Sequence, residues 1–479
     1  MVFPESNLVV FIDGDFWHGN QWRRRKLSSL DQQFSNSRRQ QWTAKIRRNM
    51  ERDAAVTSEL TFEGWKVLRF WESDVMSNLD WCVSVTTNEI QSSLLGGGNL
   101  IAQKTFAEFF AGIGLIRLGL EKHGWKVSFA NDNDPQKKEL YQGHFEDAER
   151  HFSLKDVNDL SVAEIPSVTL ASASFPCNDL SLAGSRGGLS AKNSSAFWPF
   201  INLISRMGER KPPLVLLENV PGFITSHDGK DFRHALMALN KIGYVVDAFL
   251  LDAINFVPQS RQRLFVIGVL TTLPYSFPSP PPNLESDLIL RPKILSSFIR
   301  NNSDILWSLR TLPAPPQRSL LLEGIIEKIP DDHPLWWDDA RRHYLFEQFS
   351  PKHRALAMEM IKARKWSYGT IFRRVRQGKS MAELRTDGIA GCLRTPRGGS
   401  GRQILFKAGF GKYSARLLSA KECARLMGAD DYKLKGDLNL NQALFGFGDA
   451  VCVPAIEWIA RYYLNPLINE LLRSQPGID

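Results

Sequence analysis

Between Lys104 and Leu270 the sequence alternates short apolar runs with helix-like ones: TFAEFF, LIRLGLEKHG, WKVSFAN, then SVTLASAS, PLVLLENV and RLFVIGVL. Apolar runs of about 4–8 residues with no polar face read as strands covered on both sides, and the helices between them supply the cover. The alternation predicts an α/β chain built on a doubly wound, parallel, Rossmann-like sheet. Sheets of that kind bind ligands beyond the carboxyl ends of their strands. The residues that close each apolar run are therefore the first candidates for chemistry.

Those residues form a series. FAGIG (110–114) follows one strand and precedes a helix, where glycines let a nucleotide-like ligand approach backbone at a helix N-terminus; a tight turn with no ligand is the alternative. Asp132 closes the next run and is placed to accept hydrogen bonds from ribose hydroxyls, and Asp156 in KDVNDL sits where a third strand should end and could meet a base edge. Three such points in order favour an adenosine-containing cofactor. SFPC then puts Cys177 at the mouth of a strand, as a nucleophilic thiolate or, taken alone, as a small buried hydrophobe. Glu218 ends PLVLLEN, and QSRQR sets Arg261 and Arg263 one residue apart in an extended segment.

Around this block the chain divides further. Residues 1–92 read as a small α/β unit, with strands at LVVFI (8–12) and WKVLRFW (65–71) flanking a basic helical stretch near 40–60. LLGGGN (94–99) lies in a flexible linker at 93–103, and the catalytic block runs over 104–272. The proline-rich PYSFPSPPPN (274–283) marks its edge. From 285 to 392 periodicity is poor while basic and aromatic residues interleave, as in KARKWSYGTIFRRVRQGK, which suits a groove for DNA or, cluster by cluster, a solvated helix face. From 393 to 479 the chain returns to the core through amphipathic helices, SAKECARLMG and AVCVPAIEWIARYYLNPLINELL.

Charge and cysteine content narrow the partners. Sixty Lys and Arg against 51 Asp and Glu leave +9, a mild excess that suggests a polyanionic partner, nucleic acid first. Five cysteines (Cys82, Cys177, Cys392, Cys423 and Cys452) form no CxxC pair, which fits neither a disulfide framework nor a zinc ribbon and implies a reducing cytoplasm. No apolar run reads as a membrane span, no leader pattern opens the chain, and a monomer is the default.

With these residues in order, the resemblance is specific. FAGIG, AND, SFPC, ENV, QSRQR, ARLLSAKECARLMG and GDAVCVP resemble the ordered motif series of the DNA cytosine-5 methyltransferases, over about 104–470. The resemblance implies S-adenosylmethionine as methyl donor, held by Phe110, Gly112, Ile113, Gly114, Asp132, Asp156 and Pro176, with Ala450 and Val451 from the last motif. It implies that Cys177 attacks carbon 6 of a flipped cytosine, that Glu218 engages ring nitrogen 3, and that Arg263, and less directly Arg261, binds the cytosine carbonyl oxygen. It makes 285–392 the target-recognition region, with RTPRGGSGRQ (394–403) as its return; Arg394, Arg397 and Arg402 there would touch phosphate or stay solvated. Two departures stand out. Asn178 follows the nucleophile where the family usually has Gln, and Gly448-Asp449 replaces the usual Gly-Asn, a carboxylate expected to weaken cofactor binding. The reading is a methyltransferase of a restriction-modification system; the alternatives are a DNA-binding protein that has lost catalysis, and a mismatch endonuclease.

The last alternative comes from the first hundred residues. FIDGDFWHG (11–19), KIRRNMERD (45–53) and GWKVLRFWE (64–72) resemble the very-short-patch, Vsr-type mismatch endonucleases. His18 and Asp53 match catalytic positions of that family, while its first metal-binding Asp would precede FIDG and has no counterpart, leaving half of a Mg²⁺ site. Asp13 as a substitute ligand competes with Asp13 as an ordinary loop carboxylate. The positions that hold zinc in that family are Asp15, Ser73 and the stretch near Gln21, none of them a thiol, so no metal is expected. The fragment reads as incomplete or degenerate, packing on the methyltransferase or touching DNA.

Overall fold

The structure, a computed structural model, describes residues 1–25, 27–34, 38–94, 101–176, 196–273, 288–317, 320–376, 378–395, 402–434 and 440–473. Three strands form a small N-terminal sheet: β1 (Val2–Phe3), β2 (Leu8–Asp13) and β3 (Lys66–Trp71), in the order β1-β2-β3. The large sheet comprises β4 (Thr105–Phe109), β5 (Lys126–Asp132), β6 (Phe152–Leu154), β7 (Leu170–Ala173), β8 (Leu214–Asn219), β9 (Tyr244–Asp252) and β10 (Gln262–Leu270). Its order is β6-β5-β4-β7-β8-β10-β9, so the chain winds outward from β4 on one side and restarts at β7 on the other. The crevice where the winding reverses, between β4 and β7, is the place such sheets bind ligands.

One strand departs from the expected parallel sheet. β10 pairs antiparallel with both β8 and β9. Only residues 253–261 separate β9 from β10, fewer than the dozen or so a parallel crossover needs. The reversal has a functional consequence. It brings the beginning of β10, and with it Arg261 and Arg263, to the edge where β4, β7 and β8 end, with Phe265 opposite Glu218 in register.

Both faces of the large sheet are covered. On one face Phe109, Phe129 and Leu217 pack under the helices Phe197–Arg206 and Lys230–Lys241. On the other, Phe106, Phe249 and Phe265 pack against Leu115–Glu121 and the C-terminal helices, where Trp458, Leu464 and Leu467 are buried. The chain has to return after its insert because this second face would otherwise be open to water. The C-terminal region corrects one expectation: the helical run Asn441–Arg473 is long and apolar enough to cross a membrane, but 72% of its apolar window is buried inside the fold. Its apolar side lies in the core, while Arg461, Tyr462 and Asn469 stay exposed.

Residues 288–312 also join the large sheet. Leu250 N donates to Leu290 O at 2.7 Å and Ser308 N to Val246 O at 2.8 Å. The fully buried Arg291 pairs with Asp247 at 2.8 Å, and Tyr463 adds a hydroxyl to the same carboxylate at 3.1 Å. The second, smaller body is an antiparallel sheet of β11 (Ser367–Arg376), β12 (Lys379–Arg385), β13 (Ile404–Gly409) and β14 (Lys412–Leu417) in the order β12-β11-β13-β14. The helices Asp339–Glu347 and Pro351–Lys362 complete its core around Phe349, Ile371 and Phe406.

The N-terminal sheet shares a core with the large one. Leu8, Val10, Leu68, Phe70, Trp81 and Val85 belong to the same apolar cluster as Phe109, Phe129 and Ile165. The fully buried Glu89 locks the contact: it accepts from Ser167 N at 3.1 Å and Ser167 Oγ at 3.0 Å, and pairs with Lys66 at 2.8 Å. Residues 95–100 of the expected linker lie outside the described residues.

Candidate active site

A cleft of about 500 Å³ opens at the carboxyl edge between β4 and β7. Most of the residues singled out in the sequence meet there: Phe110, Gly112, Asp132, Asp156, Pro176, Glu218, Arg261, Arg263, Ala450 and Val451 all line it. Cys177 and Asn178 follow Pro176 directly but lie outside the described residues, as does Arg397. Ile113 and Gly114 do not reach the cleft wall. Ile113 is buried behind it, its carbonyl accepting from Tyr432 Oη at 2.9 Å. Gly114 has φ +78°, and a Cβ there would lie 2.5 Å from Phe145 and 2.7 Å from Tyr141, so its work is to let the loop close on those rings.

The glycine loop is shaped by strain and by one carboxylate. Phe110, at the end of β4, adopts φ +56°, a left-handed conformation that bulky residues avoid unless their surroundings impose it. Asp132 holds the loop from the neighbouring strand, accepting from Gly112 N at 2.8 Å and from Asp134 N at 3.0 Å. Burial pushes the Asp132 carboxyl up, while Lys137 and the two N–H donors partly offset it. Asp132 therefore supports the loop as well as bordering the cleft.

At the other end of the cleft stands Glu218, buried at the close of β8. Its Oε1 pairs with Arg263 Nε at 2.9 Å and its Oε2 accepts from Ser174 Oγ, at the close of β7. Asn219 Nδ2 donates to Phe175 O at 3.2 Å, tying the same two strand ends together. The carboxylate is thus fixed from two sides immediately beside Pro176.

Arg261 occupies a different position from the one expected of it. It is 3% exposed, and its guanidinium donates to Leu393 O at 2.8 Å, Gly448 O at 3.1 Å and Ala450 O at 2.6 Å, with Cys392 Sγ at 3.3 Å. These bonds clamp the returning chain and the late loop onto the sheet. Gly448 completes the clamp, since a Cβ there would come within 2.7 Å of the Arg394–Thr395 backbone. Arg261 holds together the wall formed by residues 448–451, and of the two arginines it is Arg263 that contacts Glu218.

Three further residues of the cleft escaped the reading of the sequence. Lys137 pairs with Asp449 Oδ2 at 3.1 Å. Burial pushes its ammonium down, but Asp132 and Asp449 outweigh that and leave it raised. Lys155 is held by Glu164 at 2.5 Å and by Asp74 at 3.6 Å, so a residue of the N-terminal unit supports this wall. Glu108, 1% exposed on β4, has no hydrogen-bond partner for Oε2 among the described residues, and burial, against the opposing pull of Arg117, pushes its carboxyl up to about 8. A lone acid in the otherwise apolar TFAEFF was its signal.

Glu108 makes stability depend on pH. Its folded value lies above the unfolded one, so its contribution is complete below about pH 4.5 and is lost as pH rises toward about 8. Glu108→Gln, which keeps the neutral shape, is expected to match wild type in thermal unfolding near pH 5 and to exceed it by several degrees at pH 8.5. A gap that does not change with pH would contradict this account.

The N-terminal cluster tests the metal question. Asp13 receives Arg69 Nε at 2.7 Å and Nη2 at 2.8 Å, Asp53 lies 3.3 Å from the same guanidinium, and His18 Nδ1 bonds to Asp53. A cation already fills the space between the carboxylates, so these residues do not fit a Mg²⁺ ion. Asp15 instead accepts from Ser73 N at 2.9 Å, Ser73 Oγ at 2.8 Å and Asn20 Nδ2 at 2.6 Å, a hydrogen-bonded set where zinc ligands would have to stand.

Comparison with known proteins agrees with the large fold and its cleft. Residues 104–465 match the family described as C-5 cytosine-specific DNA methylase. Type II methyltransferase M.HaeII of Haemophilus aegyptius is 36% identical over 174 residues, covering 36% of this chain and 52% of that protein. M.NgoBI of Neisseria gonorrhoeae is 29% identical over 48% of this chain and 68% of its own length. M.HhaI of Haemophilus parahaemolyticus is 25% identical over 76% of this chain and 95% of its own. The crystal structure of S. pombe Dnmt2 methyltransferase superposes with TM-score 0.50 and 17% identity over 76% of this chain and 99% of that one, a likeness of fold. The family match begins at residue 104, so nothing in it speaks for an endonuclease-like N-terminal fragment. On its motifs, its strand order and its cleft, the chain belongs to the C-5 cytosine-specific DNA methylase family.

Proposed function

We propose that the protein transfers a methyl group from S-adenosylmethionine to carbon 5 of a cytosine in a short, specific duplex sequence, as the modification enzyme of a restriction-modification system. The observation that carries this is Glu218, held by Arg263 and Ser174 beside Pro176 in the same cleft as the glycine loop. The cleft suits the methyl donor: it pairs an open glycine backbone at Gly112 with the strand-end carboxyls of Asp132 and Asp156, acceptors for the donor's hydroxyls. Phe110, Gly112, Asp132, Asp156, Pro176, Ala450 and Val451 would hold it, and it would supply the electrophilic methyl group.

The chain's own groups then account for the rest. Carbon 5 of cytosine is a weak nucleophile, so Cys177 thiolate adds to carbon 6 and its electron pair moves toward carbon 5, which takes the methyl group. Glu218 hydrogen-bonds or protonates ring nitrogen 3 as charge enters the ring, and Arg263 orients Glu218 and offers positive charge to the cytosine carbonyl. Loss of the carbon-5 proton to a base expels the thiolate and restores the ring. The target base must first leave the stack, at about a few kcal/mol.

DNA would be gripped by the small body, which includes β13 and β14 and so runs from about residue 320 to Leu417, past the expected boundary at 392, whereas 288–312 pairs with the large sheet and the chain returns to that sheet after Leu417. Arg341, Arg373 and Arg402 crowd together there, and Arg374 and Arg394 lie 5.2 Å and 5.4 Å from the Phe372 ring. Arg394, Arg397 and Arg402 are assigned to phosphate. The enzyme acts as a cytoplasmic monomer on double-stranded DNA. Residues 1–92 keep the motif order of a Vsr-type fragment, with Arg69 in place of metal.

Labelled S-adenosylmethionine, genomic DNA and bisulfite mapping test this directly. Wild type is expected to methylate one short motif and Cys177→Ser none. Absence of methylation by wild type, with cofactor and DNA binding intact, would favour a catalytically inert binding protein instead.

The Lys137–Asp449 pair gives the Asp449 carboxylate a partner that the sequence did not suggest. Asp449 was expected to weaken cofactor binding, yet its charge is matched by Lys137. Asp449→Asn alone is therefore expected to weaken S-adenosylhomocysteine binding about threefold to tenfold by calorimetry, and Lys137→Met with Asp449→Asn to recover most of it. Tighter binding by Asp449→Asn would count against the pairing.

A further inference from the structure

Most of this protein's net charge lies in a segment that does not line the cleft. Residues 20–52 carry ten Lys and Arg against two Asp and Glu, nearly the whole of the chain's net +9. The acids of the segment do little to neutralise it. Arg47 lies 3.4 Å from Asp31, while Arg23, Arg25, Arg39, Lys45 and Arg48 are exposed with no carboxylate in salt-bridge reach among the described residues.

The surface is built as well as charged. On the helix Arg39–Phe62, Trp42, Lys45, Asn49 and Arg52 recur every three or four residues and so share one face. Trp17 lies over that face, its carbonyl accepting from Asn49 Nδ2 at 3.0 Å and its ring 5.7 Å from Trp42. Lys45 Nζ stands 4.9 Å from the Trp17 ring and 5.5 Å from that of Trp42. Trp17 is nevertheless 42% exposed. Arg52, on the same face, lies 3.8 Å from Asp53, a carboxylate that Arg69 also claims. An exposed indole beside the unneutralised Lys45, set on an aromatic base of Phe16, Phe34 and Trp42, has the chemistry of a surface for nucleic-acid backbone.

The surface is rigidly tied to the enzyme. β3, which pairs with β2 beneath this helix, is followed by Asp74, and Asp74 meets Lys155 just past the end of β6. The carboxyl edges of the two sheets are thus joined at the wall of the methyl-donor cleft.

We propose that the face of Trp17, Trp42, Lys45 and Arg52 is a second DNA-binding surface, gripping the backbone of duplex that flanks the target site. The proposal rests on the methyltransferase reading, since it is the substrate duplex that the surface would extend along. It assigns residues 1–92 a part in substrate capture that needs neither a metal nor strand cleavage. Each phosphate neutralised releases counterions, so the surface contributes to the salt dependence of binding.

Duplex length separates this surface from the cleft. Full-length wild type and the double variant Lys45→Glu/Arg52→Glu would be compared for binding to fluorescein-labelled duplexes of 16 and 40 base pairs of random sequence by anisotropy, over a salt series. Lys45→Gln/Arg52→Gln serves as the milder pair, and S-adenosylhomocysteine binding reports on folding. Wild type is expected to gain about tenfold in affinity beyond the statistical increase from 16 to 40 base pairs, and the variants less than twofold. Their salt slope on the longer duplex should fall by about two. Equal loss on both lengths, or none on either, would overturn the proposal. Methylation of genomic DNA by wild type is measured alongside: its presence without a length effect rejects this surface alone, and its absence rejects the reading on which the surface rests.

Discussion

Replacing Glu218 by Gln is expected to lower kcat for methyl transfer by about 10²–10⁴ while S-adenosylhomocysteine binding changes only a few-fold. The amide keeps the size of the side chain and can still take the Ser174 hydroxyl at its oxygen. It loses the charge that pairs with Arg263 at 2.9 Å and the ability to exchange a proton with ring nitrogen 3. Only interactions stronger in the transition state than in the ground state raise kcat, so the loss should appear in turnover. Single-turnover methyl transfer, with cofactor affinity measured separately, makes the distinction. A variant with normal turnover and poor cofactor affinity would move Glu218 from the chemistry to the donor site.

Arg261→Met is the second large effect, and it should strike folding and cofactor affinity together. The arginine satisfies the carbonyls of Leu393, Gly448 and Ala450 in a site where it is 3% exposed. Methionine fills much of the volume and satisfies none of them, and each buried acceptor left unpaired costs about 1–3 kcal/mol, so a total of about 3–5 kcal/mol is expected after local relaxation. Arg261→Lys should recover little, because one ammonium on a flexible stem cannot span three carbonyls on two chain segments. Denaturant unfolding with S-adenosylhomocysteine calorimetry tests both halves. Full stability and affinity with a collapsed kcat would instead return Arg261 to the cytosine carbonyl.

Glu218 and Arg261 also show where sequence and tertiary structure divide the explanation. Glu218 closes an apolar run and Arg261 lies in the extended QSRQR that opens one, and both were expected at one edge of a doubly wound sheet. The argument worked for Glu218 because a strand's end is a local property, written in LVLLEN and the turn after it. It said less of Arg261, since spacing cannot say which of two arginines one residue apart pairs with Glu218 and which donates to three carbonyls from residues 393–450. Ile113 and Gly114 went the same way: the loop that contains them was legible, while the rings of Tyr141 and Phe145 that claim Gly114 arrive from another helix.

The sequence by itself determined the α/β alternation, the order of the strand-end motifs and the methyltransferase family. These are local, because apolar periodicity and turn chemistry act over a few residues. Tertiary structure alone decided the reversal of β10, the pairing of Asp449 with Lys137, the occupation of the Asp13–Asp53 site by Arg69, and the shared core that joins residues 1–92 to the large sheet. Each of these depends on groups distant in sequence meeting at a distance of a few ångströms. Charge, hydrogen bonding and close packing act only once the fold has brought those groups together.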